Sequence, residues 1–191
     1  YMEAGEVLNA PELFPHRHPL RSGVVAQVLP SGPDYPDAGM GHLMVALVHG
    51  ARERIVLTTP YFIPDEPLLQ ALKTAAMRGV EVRLVVSSIV DHVIVGLAQR
   101  SYYTELLEAG VRIHSYEGGF LHAKHATFDR DIALVGSANI DIRSFVLNAE
   151  ISLVFFASDV VAKLEDEQMR YFASSAELRA DIWETRPILR K

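Results

Sequence analysis

The stretch that decides the reading is His122-Ala-Lys124-His-Ala-Thr-Phe-Asp129, followed six residues on by Gly136-Ser137-Ala-Asn139. His122 and Lys124 stand two apart in an alternating run that ends in a turn, Phe128-Asp-Arg-Asp131, so on a strand both side chains point to one face. An imidazole can attack phosphorus while an ammonium holds the phosphoryl oxygens. Ile132-Ala-Leu-Val135 reads as the return strand, and if it stays extended the Ser137 hydroxyl and the Asn139 amide also share a face. Gly136 permits a close backbone approach there.

Asp141 and Arg143 open a short segment before Leu147-Asn-Ala-Glu150-Ile-Ser-Leu-Val-Phe155, which reads as a further strand with Asn148 and Glu150 on one face. Glu150 is expected to be a partly buried carboxylate that accepts a proton from a histidine's second ring nitrogen. His125 has the opposite parity to His122 and reads as a core or surface histidine. A zinc site built on His122 and His125 would split the two rings between faces and lacks a third ligand.

The pattern HxKxxxxD followed by GSxN resembles the signature of the phospholipase D superfamily. Thr59-Pro-Tyr-Phe-Ile-Pro-Asp-Glu66 and Gly136-Ser-Ala-Asn-Ile-Asp-Ile-Arg-Ser144 with Leu147-Asn-Ala-Glu150 narrow the likeness to bacterial cardiolipin synthases, over roughly Val24 to Arg186. In that family two such motifs, from two halves of one polypeptide or from two subunits, meet to form one active site. This chain resembles the second, C-terminal half.

The resemblance implies that His122 is one of two catalytic histidines, that Lys124 and Asn139 contact phosphate oxygens with support from Ser137, and that Glu150 orients His122. Asp129 matches the motif's aspartate and is grouped with the catalytic residues, although tying down the turn suits it better than proton transfer. It also implies transfer of a phosphatidyl group between two phosphatidylglycerols through a phosphohistidine, with no cofactor and no metal. The partners it implies are phosphatidylglycerol or a related phospholipid, the missing N-terminal catalytic half or a second subunit, and a membrane surface. The full-length protein is then expected at the bacterial cytoplasmic membrane, with this piece soluble. Two alternatives stay open: a phosphodiesterase or nuclease that works as a homodimer, and an inactive half that binds its partner.

Around this centre, alternating strands and helices followed by sheet-rich hairpins predict an α/β fold, a phospholipase D-like mixed β-sheet with helices on its faces. Residues 1–23, rich in Pro, His and Arg, read as a linker or partly ordered arm, and residues 24–191 as a single domain. Strands are expected at Val24–Leu29, Arg54–Thr58, Val80–Val86 and Val111–Tyr116. Helices are expected along the Met40–Ala51 stripe, from the Asp65 cap to Gly79, at 91–109, near 159–171 and near 177–184. Tyr61, Phe62 and Phe120 are expected to form an exposed apolar wall at the site entrance. The turns after Leu29 and Thr59 lack a glycine-rich phosphate fingerprint, which argues against a nucleotide-binding fold.

Composition agrees with a piece of a larger enzyme: 191 residues, 49% apolar and 22% charged, suffice for a substantial core. Both ends look cut, at Tyr1 and at Lys191. The net charge of −6 weighs against nucleic acid as a substrate. The lack of cysteine removes thiolate catalysis. No run approaches the roughly 18 apolar residues of a membrane span.

Overall fold

The structure is a computed structural model and describes residues 23–35, 39–89 and 93–185. The strands are β1 (Ala26–Ser31), β2 (Arg54–Thr58), β3 (Phe62–Ile63), β4 (Glu81–Ser87), β5 (Arg112–Tyr116), β6 (His125–Phe128), β7 (Ile132–Gly136), β8 (Ile140–Asp141), β9 (Glu150–Phe156) and β10 (Ser175–Leu178). The helices are α1 (Gly39–Gly50), α2 (Glu66–Met77), α3 (Val93–Ser101), α4 (Tyr103–Glu108), α5 (Ser158–Ala173) and α6 (Ala180–Glu184). A π-helical turn spans Arg143–Leu147.

Eight strands form one sheet in the order β1-β9-β7-β6-β2-β4-β5-β10, and β3 pairs with β8 in a small sheet of its own. β2, β4 and β5 run parallel, whereas β6, β7, β9 and β1 fold back antiparallel. The mixed α/β sheet is the one expected from the order of elements. Pro30 is tolerated because β1 is an edge strand that pairs only with β9.

Strand alternation divides the side chains between two packed faces. Ile55 and Leu57 of β2, Val82, Leu84 and Val86 of β4, Ala126 and Phe128 of β6, and Leu134 and Val154 of β7 and β9 join a core with Met40, Met44 and Val48 of α1 and Leu68 and Leu72 of α2. The spacing of Met40, Met44 and Val48 is one helix face, which is why α1 lies flat on the sheet. α2 starts where Asp65 caps it, its carboxylate accepting the Leu68 N–H at 3.1 Å, with Pro67 in the first turn. On the opposite face α5 covers β5, β6 and β7. There Gln168 accepts the Thr127 hydroxyl at 3.1 Å, and Phe172 packs on His114 with ring centroids 4.7 Å apart.

Three expected elements differ. The 91–109 helix is two helices that break at Tyr102: its ring packs edge-on against Phe62, and Tyr103 packs on Trp183 and takes a hydrogen bond from Gln99. Residues 91 and 92 fall outside the described residues. The helix expected near 177–184 is instead β10 followed by the short α6. Glu177 is drawn to the β5 edge by a two-pronged pair with Arg112 at 2.7 and 2.8 Å. The strand expected from Leu147 begins only at Glu150, because the preceding residues wind into the π-helical turn. The 1–22 part of the expected arm lies outside the described residues.

Candidate active site

The parallel register Thr58↔Val85 and Val85↔His114 lines up the carboxyl ends of β2, β4 and β5, and Thr58↔His125 places the start of β6 at the same end. Ligands in open α/β sheets gather at that end. His122 and Lys124 lead directly into β6 there. The end of β7 and the start of β9 join them, since Gly136 faces Ser152 and its N–H reaches Lys124 O at 3.1 Å.

Gly136 is required by this crossing. A Cβ on it would lie 2.2 Å from Ser152 Oγ and 2.7 Å from Ile151 O, so no side chain fits between β7 and β9. Ser137, the next residue, locks the two chains: its hydroxyl accepts the Ile151 N–H at 3.1 Å and its own N–H donates to Ile151 O at 3.0 Å. That leaves the hydroxyl partly engaged beside Glu150, a supporting position.

Lys124 lies on the neighbouring chain and is half-buried, its ammonium donating to His122 O at 2.8 Å. Burial pushes it below the ordinary lysine range, and the Glu150 carboxylate offsets part of that shift. The partly desolvated ammonium spends one of its three donors on the carbonyl and keeps two for an anion, while the Glu150 carboxylate offsets part of its charge. His122 is exposed and stacks on Phe120, ring centroids 5.7 Å apart and planes 16° from parallel.

Glu150 does not hold His122: no hydrogen bond joins them, and the carboxylate acts on Lys124 instead. The expected pairing assumed that strand parity reaches back to position 122, but β6 begins only at His125 and His122 sits in an irregular lead-in. His125 turns the other way, as expected. It is buried beneath α5 with Nδ1 3.4 Å from the Gln168 amide and its ring against Tyr171. Burial brings its pKa down to about 4.

Asp129, the last residue of the motif, stands apart from His122 and Lys124. It follows Phe128 at the far end of β6, the opposite end of the strand from the His122 lead-in. Its backbone is left-handed, φ 51°. Its carboxylate accepts the N–H groups of Arg52, Glu53 and Arg54 at 2.8 to 3.2 Å, and these hold it below the usual carboxylate range. The residue clamps a turn and touches nothing at the site.

Asn139 lies between β7 and β8, and its Oδ1 is buried without a partner among the described residues. It lines a cavity together with Tyr61. The position is set by Thr59, whose hydroxyl donates to Tyr61 O at 2.8 Å and accepts the Ile140 N–H at 3.3 Å, tying the end of β2 to β8.

The expected wall holds only in part. Phe120 is 60% exposed and Tyr61 half-buried, but Phe62 is fully buried. Pairing of β3 with β8 turns Phe62 inward, and Gln99 fixes it by accepting its N–H at 2.9 Å. Thr59, Gln99 and the β3–β8 pair were not read from the sequence. A lone glutamine within the apolar α3 was the available signal for Gln99. Among the described residues no group of three or more histidines and carboxylates could hold a metal ion, and no helix is long and apolar enough to cross a membrane.

The family model for the cardiolipin synthase, PLD-like domain matches residues 44–171. Cardiolipin synthase A of Yersinia pseudotuberculosis is 42% identical over 167 residues, which cover 87% of this chain and 34% of that protein. The Pectobacterium carotovorum cardiolipin synthase A is 42% identical over 97% of this chain and 39% of its own length. The chain therefore spans between a third and two fifths of the curated relatives it matches. Among solved structures, the phospholipase D family member Nuc from Salmonella typhimurium superposes with a TM-score of 0.69 at 18% identity, over 82% of this chain and 99% of that one, a likeness of fold. With the signature, the sheet and these matches in agreement, the chain belongs to the family of cardiolipin synthase, PLD-like domains.

Proposed function

We propose that this chain is one catalytic half of a phosphatidyltransferase that makes cardiolipin from two phosphatidylglycerol molecules. The observation that carries the reading is the half-buried Lys124 ammonium beside the exposed His122 ring, at the carboxyl end of the parallel strands, in a chain of this family. The described residues from Val24 onward act as one domain. The assembled enzyme works at the cytoplasmic membrane.

In the first half-reaction one histidine attacks phosphorus in line, forming an N–P bond as the bond to the glycerol oxygen breaks, and the second histidine delivers a proton to that oxygen. Free glycerol leaves. In the second, the now neutral histidine takes the proton from a hydroxyl of another phosphatidylglycerol, whose oxygen displaces the enzyme histidine. Cardiolipin leaves and both histidines return to their starting state. Lys124 and Asn139, with counterparts from the other half, hold the nonbridging oxygens as charge shifts onto them, and Ser137 braces the β7–β9 crossing beneath them. Glu150 tunes Lys124.

One histidine cannot act both as nucleophile and as acid on the opposite side of phosphorus, so the single motif here needs a second. The test is incubation of the purified chain with phosphatidylglycerol vesicles, alone and joined to a second motif-bearing half. Cardiolipin is expected only from the joined form. Robust metal-independent synthesis by the monomer overturns the two-half reading, and phosphatidate as the main product makes water the acceptor. A second reading, in which two copies of this chain build the site, draws on one observation: this chain aligns with 99% of Nuc, so a chain of similar size can stand alone in the wider fold group.

A further inference from the structure

A cavity of about 410 Å³ opens beside Asn139, with Tyr61, Ile63 and Val95 as its apolar wall and Arg143 and Asn148 on its polar side. Its size lies in the range of pockets for small organic ligands, roughly 300–1,000 Å³, and exceeds what bare phosphate needs. Arg83, Arg112, Arg170 and Arg179 each pair with a carboxylate. Arg143 has no such partner among the described residues and is exposed on the π-helical turn. Asp141 also lines the cavity, but it is nearly buried and its Oδ1 is taken by the Ser144 N–H at 2.7 Å. Arg143 therefore places an exposed guanidinium at this opening, with the Asp141 carboxylate on its buried side. The second unmet group is Asn139 Oδ1, a buried acceptor that calls for a hydroxyl or N–H donor.

We propose that this cavity is the acceptor subsite, which takes the phosphoglycerol headgroup of a second phospholipid. The glycerol hydroxyl that does not attack donates to Asn139 Oδ1, which leaves the attacking hydroxyl's proton for the histidine, and Arg143 pairs with the phosphodiester at the other end of the glycerol. The glycerol carbons lie along Tyr61 and Ile63. A guanidinium suits this task because its planar donors match two oxygens of one phosphate. The assignment rests on the transferase reading and adds to it a reason for choosing a phospholipid over water as acceptor: water fills neither the charged nor the apolar part of the cavity.

The experiment is an NMR titration of the isotopically labelled chain with three probes: inorganic phosphate, glycerophosphoglycerol and glycerol. Phosphate is expected to shift Lys124 and Ser137, while glycerophosphoglycerol also shifts Ile63, Val95 and Asn148. Arg143→Gln is expected to weaken glycerophosphoglycerol binding about tenfold or more, the loss of a charge-assisted pair, and to leave the phosphate response at Lys124 and the weak glycerol response unchanged. Arg143→Lys should fall between the two. Because Arg143 is exposed, the remaining resonances should stay in place. Equal affinity of Arg143→Gln for glycerophosphoglycerol overturns the inference, as do cavity resonances that answer phosphate as strongly as the headgroup. A chain whose Lys124 responds to neither anion removes the transferase reading itself, whereas failure confined to the cavity removes only the acceptor subsite.

Discussion

The two ends of β6 carry the two ends of one motif and are built on opposite principles. At the Asp129 end the motif's carboxylate is fully engaged: three backbone N–H groups converge on it, and the left-handed residue closes a tight turn. At the His122 end the ring is exposed, Lys124 is partly desolvated, and Asn139 Oδ1 has no partner among the described residues. A structure spends such unsatisfied groups where a ligand completes them, and closes them off where only the fold is at stake. The motif thus combines one closed, anchored end with one open end, and the strand between them transmits position.

The largest effect expected from this contrast is on turnover. In the assembled two-half enzyme, His122→Ala should lower cardiolipin formation by about 10³-fold or more, with a urea denaturation midpoint unchanged because the ring is exposed. If the variant retains most of its rate, the open end is not the working end and the contrast fails.

Next in size is a pH effect across the sheet from the site. His125 is buried with its pKa lowered to about 4, so between the unfolded value of about 6.5 and that folded value the unfolded chain binds more protons. Stability conferred by the neutral ring is present in full above pH of about 6.5, declines as pH falls, and is lost by about pH 4, a loss of roughly 3 kcal/mol. His114, also lowered chiefly by burial, adds to the slope in the same direction. Urea denaturation as a function of pH should show the decline, and His125→Gln should flatten it. A variant with the same slope would place the proton elsewhere.

How much of this was legible in the sequence follows the same contrast. The signature named His122, Lys124, Ser137 and Asn139, and alternation put His125 on the other face from His122 and Lys124, because periodicity acts wherever a strand is regular. Parity failed at His122, where the strand had not begun, and it was there that the Glu150 pairing was misjudged. Phe62 was misread because the β3–β8 pair is too short for a pattern and depends on residues far apart in the chain. The π-helical turn that carries Arg143 has no local period to betray it. Sequence reports what repeats, and the cavity is assembled from segments that do not.

At the anchored end, Asp129→Ala should cost about 2 kcal/mol, since three backbone donors lose their acceptor and alanine tolerates the left-handed backbone poorly. Asp129→Asn should recover part of that loss, because asparagine accepts that backbone and offers one carbonyl oxygen. Calorimetric melting of the variants measures it, and the phosphate response at Lys124 should survive at temperatures where the chain is folded. Loss of phosphate binding in a folded Asp129→Ala would mean that the clamp also sets the site.

The smallest effect expected distinguishes two uses of Phe120. Its ring is 60% exposed and lies nearly parallel to His122 at 5.7 Å, an offset stack of the kind worth about 0.5–1.5 kcal/mol. Because the ring is largely exposed, removing it should cost at most about 1 kcal/mol of stability, the lower part of that range. In the assembled enzyme Phe120→Ala should lower kcat a few-fold, because His122 sits in an irregular segment and the stack helps to orient its ring. Phe120→Tyr, which keeps an aromatic face, should restore the rate. A wall that receives an acyl chain predicts the other split, with KM rising and kcat steady, and with Phe120→Leu as good as the aromatic. Separate measurement of kcat and KM for the three variants therefore decides whether the open end of β6 is oriented by its own neighbour or left to the substrate to arrange.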